Sequence, residues 1–194
     1  MLNVARSLPP VSGATIEWRE ADATSLPFEK QSFDVVFCQL GLQYFTDRVK
    51  ALHEMNRVLV PHGRLAAMVW RDIKYSPGFE AVARALGTHV SPEAAKIMHA
   101  PFSLGDAEEL RRLITNAGFK EALIKLAIGT VRFPSPEEFI ESYVAASPIA
   151  THVANVNDAA REALIQDVKT AIQNYGDDFG IAFPIEAHLA VAYS

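Results

Sequence analysis

Residues 21–70 read ADATSLPFEKQSFDVVFCQLGLQYFTDRVKALHEMNRVLVPHGRLAAMVW. The period of the apolar positions changes twice along this line. Ser32–Cys38 (SFDVVFC) is a short apolar run rich in β-branched and aromatic residues, with polar Glu29-Lys30-Gln31 before it and Gly41 after it, which predicts a buried strand. A run that is apolar on both faces suits a central parallel strand. From Thr46 onward the spacing becomes helical, through Val49, Leu52, Met55, Val58 and Leu59, with Thr46 or Asp47 placed to cap the first turn. Pro61-His62-Gly63 is expected to stop that helix, and Arg64–Trp70 (RLAAMVW) reads as a second strand. Strand, helix and strand make one βαβ unit, whose crossover should be right-handed.

Upstream, Met1–Leu8 has the spacing of the last turns of a helix running into Pro9-Pro10, and Thr15–Arg19 (TIEWR) alternates enough for a short strand. Glu20–Ser25 then forms a polar turn at that strand's carboxyl end, where open α/β sheets bind ligands. Downstream, Phe79, Val82, Ala83 and Leu86 mark a short helix, and Gly87–Pro101 reads as less regular. Ser103–Gly118 is expected to be an amphipathic helix that opens on a Ser-x-x-Asp pattern and ends at a C-cap glycine. Phe119–Val131 reads as a strand, Ser135-Pro136-Glu137-Glu138 opens another helix that ends by Pro148, and Asn157–Tyr175 is a longer one. Ala182–Tyr193 alternates strictly, with Pro184 confined to an early or edge position.

The 194 residues, 49% hydrophobic and 21% charged, suffice for one globular core. A net charge of -5, without a local cluster of Lys and Arg, argues against a nucleic-acid partner and for small molecules. Cys38 is the sole cysteine, so no internal disulfide forms, and a buried inert thiol outweighs a catalytic one. The longest strictly apolar run is the six residues Leu65–Trp70, and no basic flank precedes an apolar stretch at the N-terminus. Neither a membrane helix nor a signal peptide is therefore read, and a cytoplasmic location is expected. Six histidines without paired ligand spacing predict no metal site.

The line D-A-x-x-L-P-F at Asp22–Phe28, then S-F-D-V-V at Ser32–Val36, then E-M-N-R-V-L-x-P-x-G-R-L at Glu54–Leu65, resembles the core of class I S-adenosylmethionine (SAM) dependent methyltransferases. It is most similar to the type-11 domain, the branch that includes the ubiquinone and menaquinone biosynthesis methyltransferases. Several motifs in order and at the right spacing make a specific signal. The resemblance implies an α/β fold built on a partial doubly wound, Rossmann-like sheet. That sheet is mostly parallel, with Ala182–Tyr193 as an antiparallel last strand inserted beside Arg64–Trp70, and a helical cap is added. It further implies one methyltransferase domain over 1–194, truncated at its N-terminus, with substrate-side cap segments at 71–101 and 133–176.

In the family, an M-L-x-x-A-R segment lies partway along the helix after the second strand, so Met1 is read as an internal methionine. The expected preceding parts are a first strand, a glycine-rich turn and a second strand ending in an acid for the ribose hydroxyls; the ten glycines here include no G-x-G pair. Residues 1–194 alone are accordingly expected to bind SAM poorly and to leave an exposed edge at Ser32–Cys38.

The cofactor-binding residues that the resemblance implies are Asp22, which accepts from the adenine amino group, Ala23, whose N–H meets a ring nitrogen, and Gln39, beside the methionine portion. Against this, Asp22 also suits a plain Asx turn. Tyr44 is a further candidate, since an aromatic face attracts a sulfonium cation, although it is equally placed to be core. Gly41 is read as a tight turn and Leu42 and Phe45 as packing residues. His89 and His99 are placed to act as general bases, or to sit on the surface, and His188 is read as structural or exposed. No catalytic residue is assigned, which suits a methyl transfer that needs positioning and desolvation more than an acid-base pair. The oligomeric state and the acceptor stay open. Two other classes compete with this reading: a non-catalytic methyltransferase-like scaffold, and a nicotinamide-dependent reductase. The latter lacks both a glycine fingerprint and a Tyr-x-x-x-Lys pair.

Overall fold

A computed structural model describes residues 2–8, 13 and 15–194. It contains helices α1 (Leu2–Ser7), α2 (Arg48–Val58), α3 (Pro77–His89), α4 (Pro92–His99), α5 (Ala107–Asn116), α6 (Pro136–Ala145), α7 (Ala150–Ala154) and α8 (Asp158–Ile172). Its strands are β1 (Phe33–Gln39), β2 (Leu59–Trp70), β3 (Lys120–Phe133), β4 (Gly176–Asp177) and β5 (Gly180–Tyr193), in the sheet order β1-β2-β5-β3, with β4 paired on β5. Pro9 and Pro10, expected just past the first helix, lie outside the described residues.

The βαβ unit forms as its periodicity predicts, with β1 and β2 parallel from Val35 opposite Arg64 to Gln39 opposite Met68. Asp47 caps α2 by accepting from the Lys50 N–H at 2.9 Å. The helix ends at Val58, three residues before Pro61. Leu59 already pairs with Phe33, and Val60–Gly63 bulge out of the ladder, with His62 left-handed at φ 64°. Across the sheet, β2 and β5 run antiparallel from Arg64 opposite Tyr193 to Trp70 opposite Ala187, as anticipated. Pro184 lies beyond the end of that ladder, where β3 is the strand paired with β5. The β1, β2 and β3 chains therefore share one direction and β5 opposes them.

Alternation along the strands sends two side-chain sets to opposite faces. On one face Cys38, Leu65, Ala67, Val69, Ala190 and Ala192 pack with Leu52 and Met55 of α2 and Leu110 and Ile114 of α5. On the other, Ile181 and Phe183 pack with α3, α4, α6 and α8 through Phe79, Leu86, Met98, Phe139, Leu164 and Val168. This second layer stops short of β1, where Phe37 stays 80% exposed.

Four expectations need correction. Thr15–Arg19 is not a strand: residues 15–20 are extended, exposed and unpaired, held by Arg6 donating to the Trp18 carbonyl at 3.2 Å and by Arg19 over the Phe28 ring. Alternation alone cannot hold a strand when no partner ladder supplies its hydrogen bonds. The helix expected from Ser103 begins at Ala107, capped by Asp106, which accepts from the Glu109 N–H at 2.7 Å. Residues 87–101 are more regular than read, since α3 runs to His89 and Ser91 caps α4 through the Ala94 N–H. The β1 run, read as a buried central strand, stands at the edge of the sheet order with Val35 and Phe37 exposed; short α7 and the β4–β5 hairpin, turning at Gly180 with φ 118°, carried no periodic signal.

Gly78 in α3 faces the Phe183 ring so closely that an added Cβ would enter it, and that ring is enclosed edge-on by Phe79 and Phe139. Gly→Ala gains at most about 1 kcal/mol of helix propensity, whereas overpacking a closed core costs about 1–3 kcal/mol. Gly78→Ala is therefore expected to lose roughly 0.5–2 kcal/mol of stability in urea unfolding, and an unchanged or higher midpoint would show that the two layers can part.

Candidate functional site

The carboxyl end of β1 turns sharply. Leu40 donates to the Met68 carbonyl at 2.9 Å and adopts φ 52°, a left-handed conformation uncommon for leucine, and residues 42–44 form one 3-10 turn before Asp47 opens α2. Successive residues of such a turn point about 120° apart, and the three here have different fates. Leu42 is fully buried in the α2–α5 core, Gln43 is 5% exposed, and Tyr44 is 57% exposed. Gln39 is exposed at the strand end, and Cys38 is buried, with its thiol pushed up by desolvation, which suits an inert side chain.

Asp22 and Ala23 belong to a turn pinned to α2. Glu54 accepts from the Leu26 N–H at 2.8 Å, and Arg57 donates to the Leu26 and Phe28 carbonyls while pairing with Glu54 at 2.7 Å. Within the turn, Asp22 Oδ1 accepts from the Thr24 N–H at 2.8 Å and the Thr24 hydroxyl at 2.9 Å. It is an Asx turn, so the plainer geometry read from the sequence is present. Those bonds, the backbone N–H first, hold the Asp22 carboxyl below the usual 3.8. Lys50, in the first turn of α2, lies near enough to lower it further. That helix is the one that follows β1 and Gln39.

Above this edge stands the aromatic part of the second helical layer. Tyr143 of α6 meets Phe79 edge-on at 5.2 Å, and Phe79 also contacts Phe102 at 5.9 Å. Burial, and secondarily the nearby Tyr44 phenol, push the Tyr143 hydroxyl above the usual tyrosine range, which brings Tyr44 and Tyr143 to one locality. Tyr44 itself is raised by partial burial.

Gln43 was not singled out in the sequence. Its carbonyl accepts from Arg48 at 3.1 Å and from the Ser103 hydroxyl at 3.2 Å, and Arg48 also reaches Ser103 at 2.9 Å. Neither carboxamide atom of its buried side chain has a partner among the described residues. The only hint in the sequence is a polar residue between Leu42 and Tyr44.

None of the three histidines noted in the sequence hydrogen-bonds to this turn. His89 Nε2 bonds to Asp167 at 2.7 Å and ties α3 to α8. His99 lines a hollow of about 430 Å3 with Ile73, Lys96 and Phe102, and His188 is buried with Nε2 at 3.0 Å from the Gly105 carbonyl, a structural bond. No group of three His, Cys, Asp or Glu able to hold a metal occurs among the described residues.

A methyltransferase-domain profile matches residues 1–67, the span that carries the Asp22 turn, β1 and α2. Demethylmenaquinone methyltransferase of Thermus thermophilus is 32% identical over 145 residues, covering 66% of this chain and 63% of that protein. Over these residues the chain is similar to class I SAM-dependent methyltransferases. A ubiquinone/menaquinone biosynthesis C-methyltransferase of Hahella chejuensis is 46% identical over 70 residues, which are 35% of this chain and 28% of that protein. The chain thus spans less than two thirds of the length of the curated relatives it matches. In fold it is similar to a Bacillus halodurans protein described as a methyltransferase, at TM-score 0.57 and 16% identity over 94% of this chain and 73% of the other.

The Asx turn gives a pH test with a definite sign. Because the folded Asp22 carboxyl lies below its ordinary 3.8, the stability it adds is present above that value and is lost as pH falls through the folded one. Carbon NMR of the carboxyl should place the wild-type midpoint below 3.8 and that of Thr24→Val closer to it, because one of the two Thr24 bonds is removed. A wild-type midpoint at the ordinary value would mean that the turn does not persist in solution.

Proposed function

We propose that the protein transfers the methyl group of SAM to a small-molecule acceptor at the carboxyl edge of β1. The observation that carries this reading is the antiparallel β2–β5 ladder, Arg64–Trp70 against Tyr193–Ala187, which distinguishes this sheet from that of a nicotinamide-dependent reductase of similar architecture. The Asp22 turn and the Gln39–Tyr44 loop offer groups suited to the two extremities of SAM.

Asp22 fits the adenine end, because Oδ1 is taken by Thr24 while Oδ2 remains able to accept from an exocyclic amine, and the Ala23 N–H follows it. Gln39 fits the methionine end, and Tyr44 presents an aromatic face suited to a sulfonium. Bound SAM supplies an activated methyl group. The protein's own contribution is to hold donor and acceptor in line and to keep water out, worth several kcal/mol of barrier without a strong acid or base. Exclusion of water falls to segments 71–101 and 133–176, read here as the cap on the acceptor side. The curated relatives carry the names of demethylmenaquinone and ubiquinone/menaquinone methyltransferases, so an electron-rich ring of that kind is the acceptor class to test first. No helix among the described residues is long and apolar enough to cross a membrane. A cytoplasmic protein acting on small molecules, not on nucleic acid, agrees with this and with the net charge of -5.

Calorimetric titration of the protein expressed from its own gene tests the reading. Asp22→Ala should weaken SAM binding by about 0.5–1.5 kcal/mol, the usual net value of one hydrogen bond, and by more if the adenine amine is left buried and unpaired. Unchanged affinity would remove Asp22 from the site.

A further inference from the structure

We infer that Gln43 is a specificity residue whose carboxamide binds a hydroxyl or carbonyl group of the methyl acceptor; this rests on the methyl-transfer reading above. Three observations converge on it. The side chain is 5% exposed, yet neither its oxygen nor its nitrogen has a hydrogen-bond partner among the described residues. A buried amide left this way is costly, and a fold tolerates it where the group serves another purpose. Its backbone, by contrast, is fixed from two sides, by Arg48 and by Ser103 on its carbonyl, with Arg48 also reaching Glu109 of α5 at 3.5 Å. The group is thus held in place without being satisfied.

Its position supplies the third observation. Gln43 lies in the turn between Gln39, proposed for the methionine end, and α2, and that turn packs on residues 100–102, whose Phe102 joins the Phe79–Tyr143 aromatic group of the acceptor side. A carboxamide carries both donors and an acceptor, so it complements a hydroxyl or a carbonyl equally and does not discriminate by charge. It would select an oxygenated acceptor over its deoxygenated counterpart, because only the former leaves no buried polar group unpaired.

The test uses Gln43→Met, close in size and unbranched, with Gln43→Leu as a second variant in case the first does not fold. Demethylmenaquinone with a shortened side chain serves as the acceptor probe, titrated by tryptophan fluorescence in the presence of S-adenosylhomocysteine, alongside separate SAM calorimetry and thermal unfolding. The expected result is about tenfold weaker binding of the probe, SAM affinity within twofold of wild type, and a melting temperature at or above wild type because an unpaired amide has gone. Equal probe binding by wild type and variant, no probe binding by wild type, or a lower melting temperature in both variants would each overturn the assignment. Absence of SAM binding in the wild-type protein expressed from its own gene is a different outcome: it would overturn the methyl-transfer reading itself, and the role of Gln43 with it.

Discussion

The antiparallel ladder between β2 and β5 joins the two halves of this chain. β2 closes the βαβ unit made by residues 33–70, and β5 is the last strand, so without their seven paired positions the first half would have no connection through the sheet to β3. Because β5 lies between β2 and β3, its two faces serve two different helical layers. Ala190 and Ala192 pack toward α2 and α5, while Ile181 and Phe183 pack toward α3, α6 and α8. Small residues at 187, 190 and 192 let β5 sit between neighbours on both sides, and the large Phe183 fills the centre of the aromatic cluster. The site edge inherits its geometry from this arrangement, since the turn after β1 packs on residues 100–102, whose Phe102 belongs to the second layer.

Two physical constraints then shape that edge. A left-handed Leu40 followed by a single 3-10 turn gives three adjacent side chains different fates within one turn, Leu42 and Gln43 buried and Tyr44 exposed. The Arg48–Ser103–Gln43 hydrogen bonds fasten that turn to the segment before α5, so its position depends on both halves of the chain. Across α2, Glu54 and Arg57 pin the Asp22 turn through backbone groups of residues 26 and 28; as exposed charges they place the loop more than they stabilise the fold.

Much of the fold was legible because its elements are marked by local chemistry: the β1 run, the three- and four-residue steps of α2, the Ser135 cap, the four-residue steps after Asn157, and the alternation of β5. What failed was decided elsewhere in the chain. Thr15–Arg19 has a strand's pattern but no partner strand among the described residues. Ser103 and Asp106 are both good cap residues, and the choice fell to Asp106 because the Ser103 hydroxyl bonds to the Gln43 carbonyl and to Arg48. Of the candidate site residues, Asp22, Ala23 and Gln39 are read from motif position and Tyr44 from its aromatic face, whereas Gln43 carries no such signal, since only tertiary packing buries it.

Hydrogen–deuterium exchange of the protein expressed from its own gene, with and without SAM, tests the central claim most directly. Placement of SAM across the carboxyl edge of β1 predicts slower exchange at two separated segments, Ala23–Thr24 and Gln39–Gly41, with β3 unchanged. Protection confined to other segments, or none at saturating SAM, would contradict it.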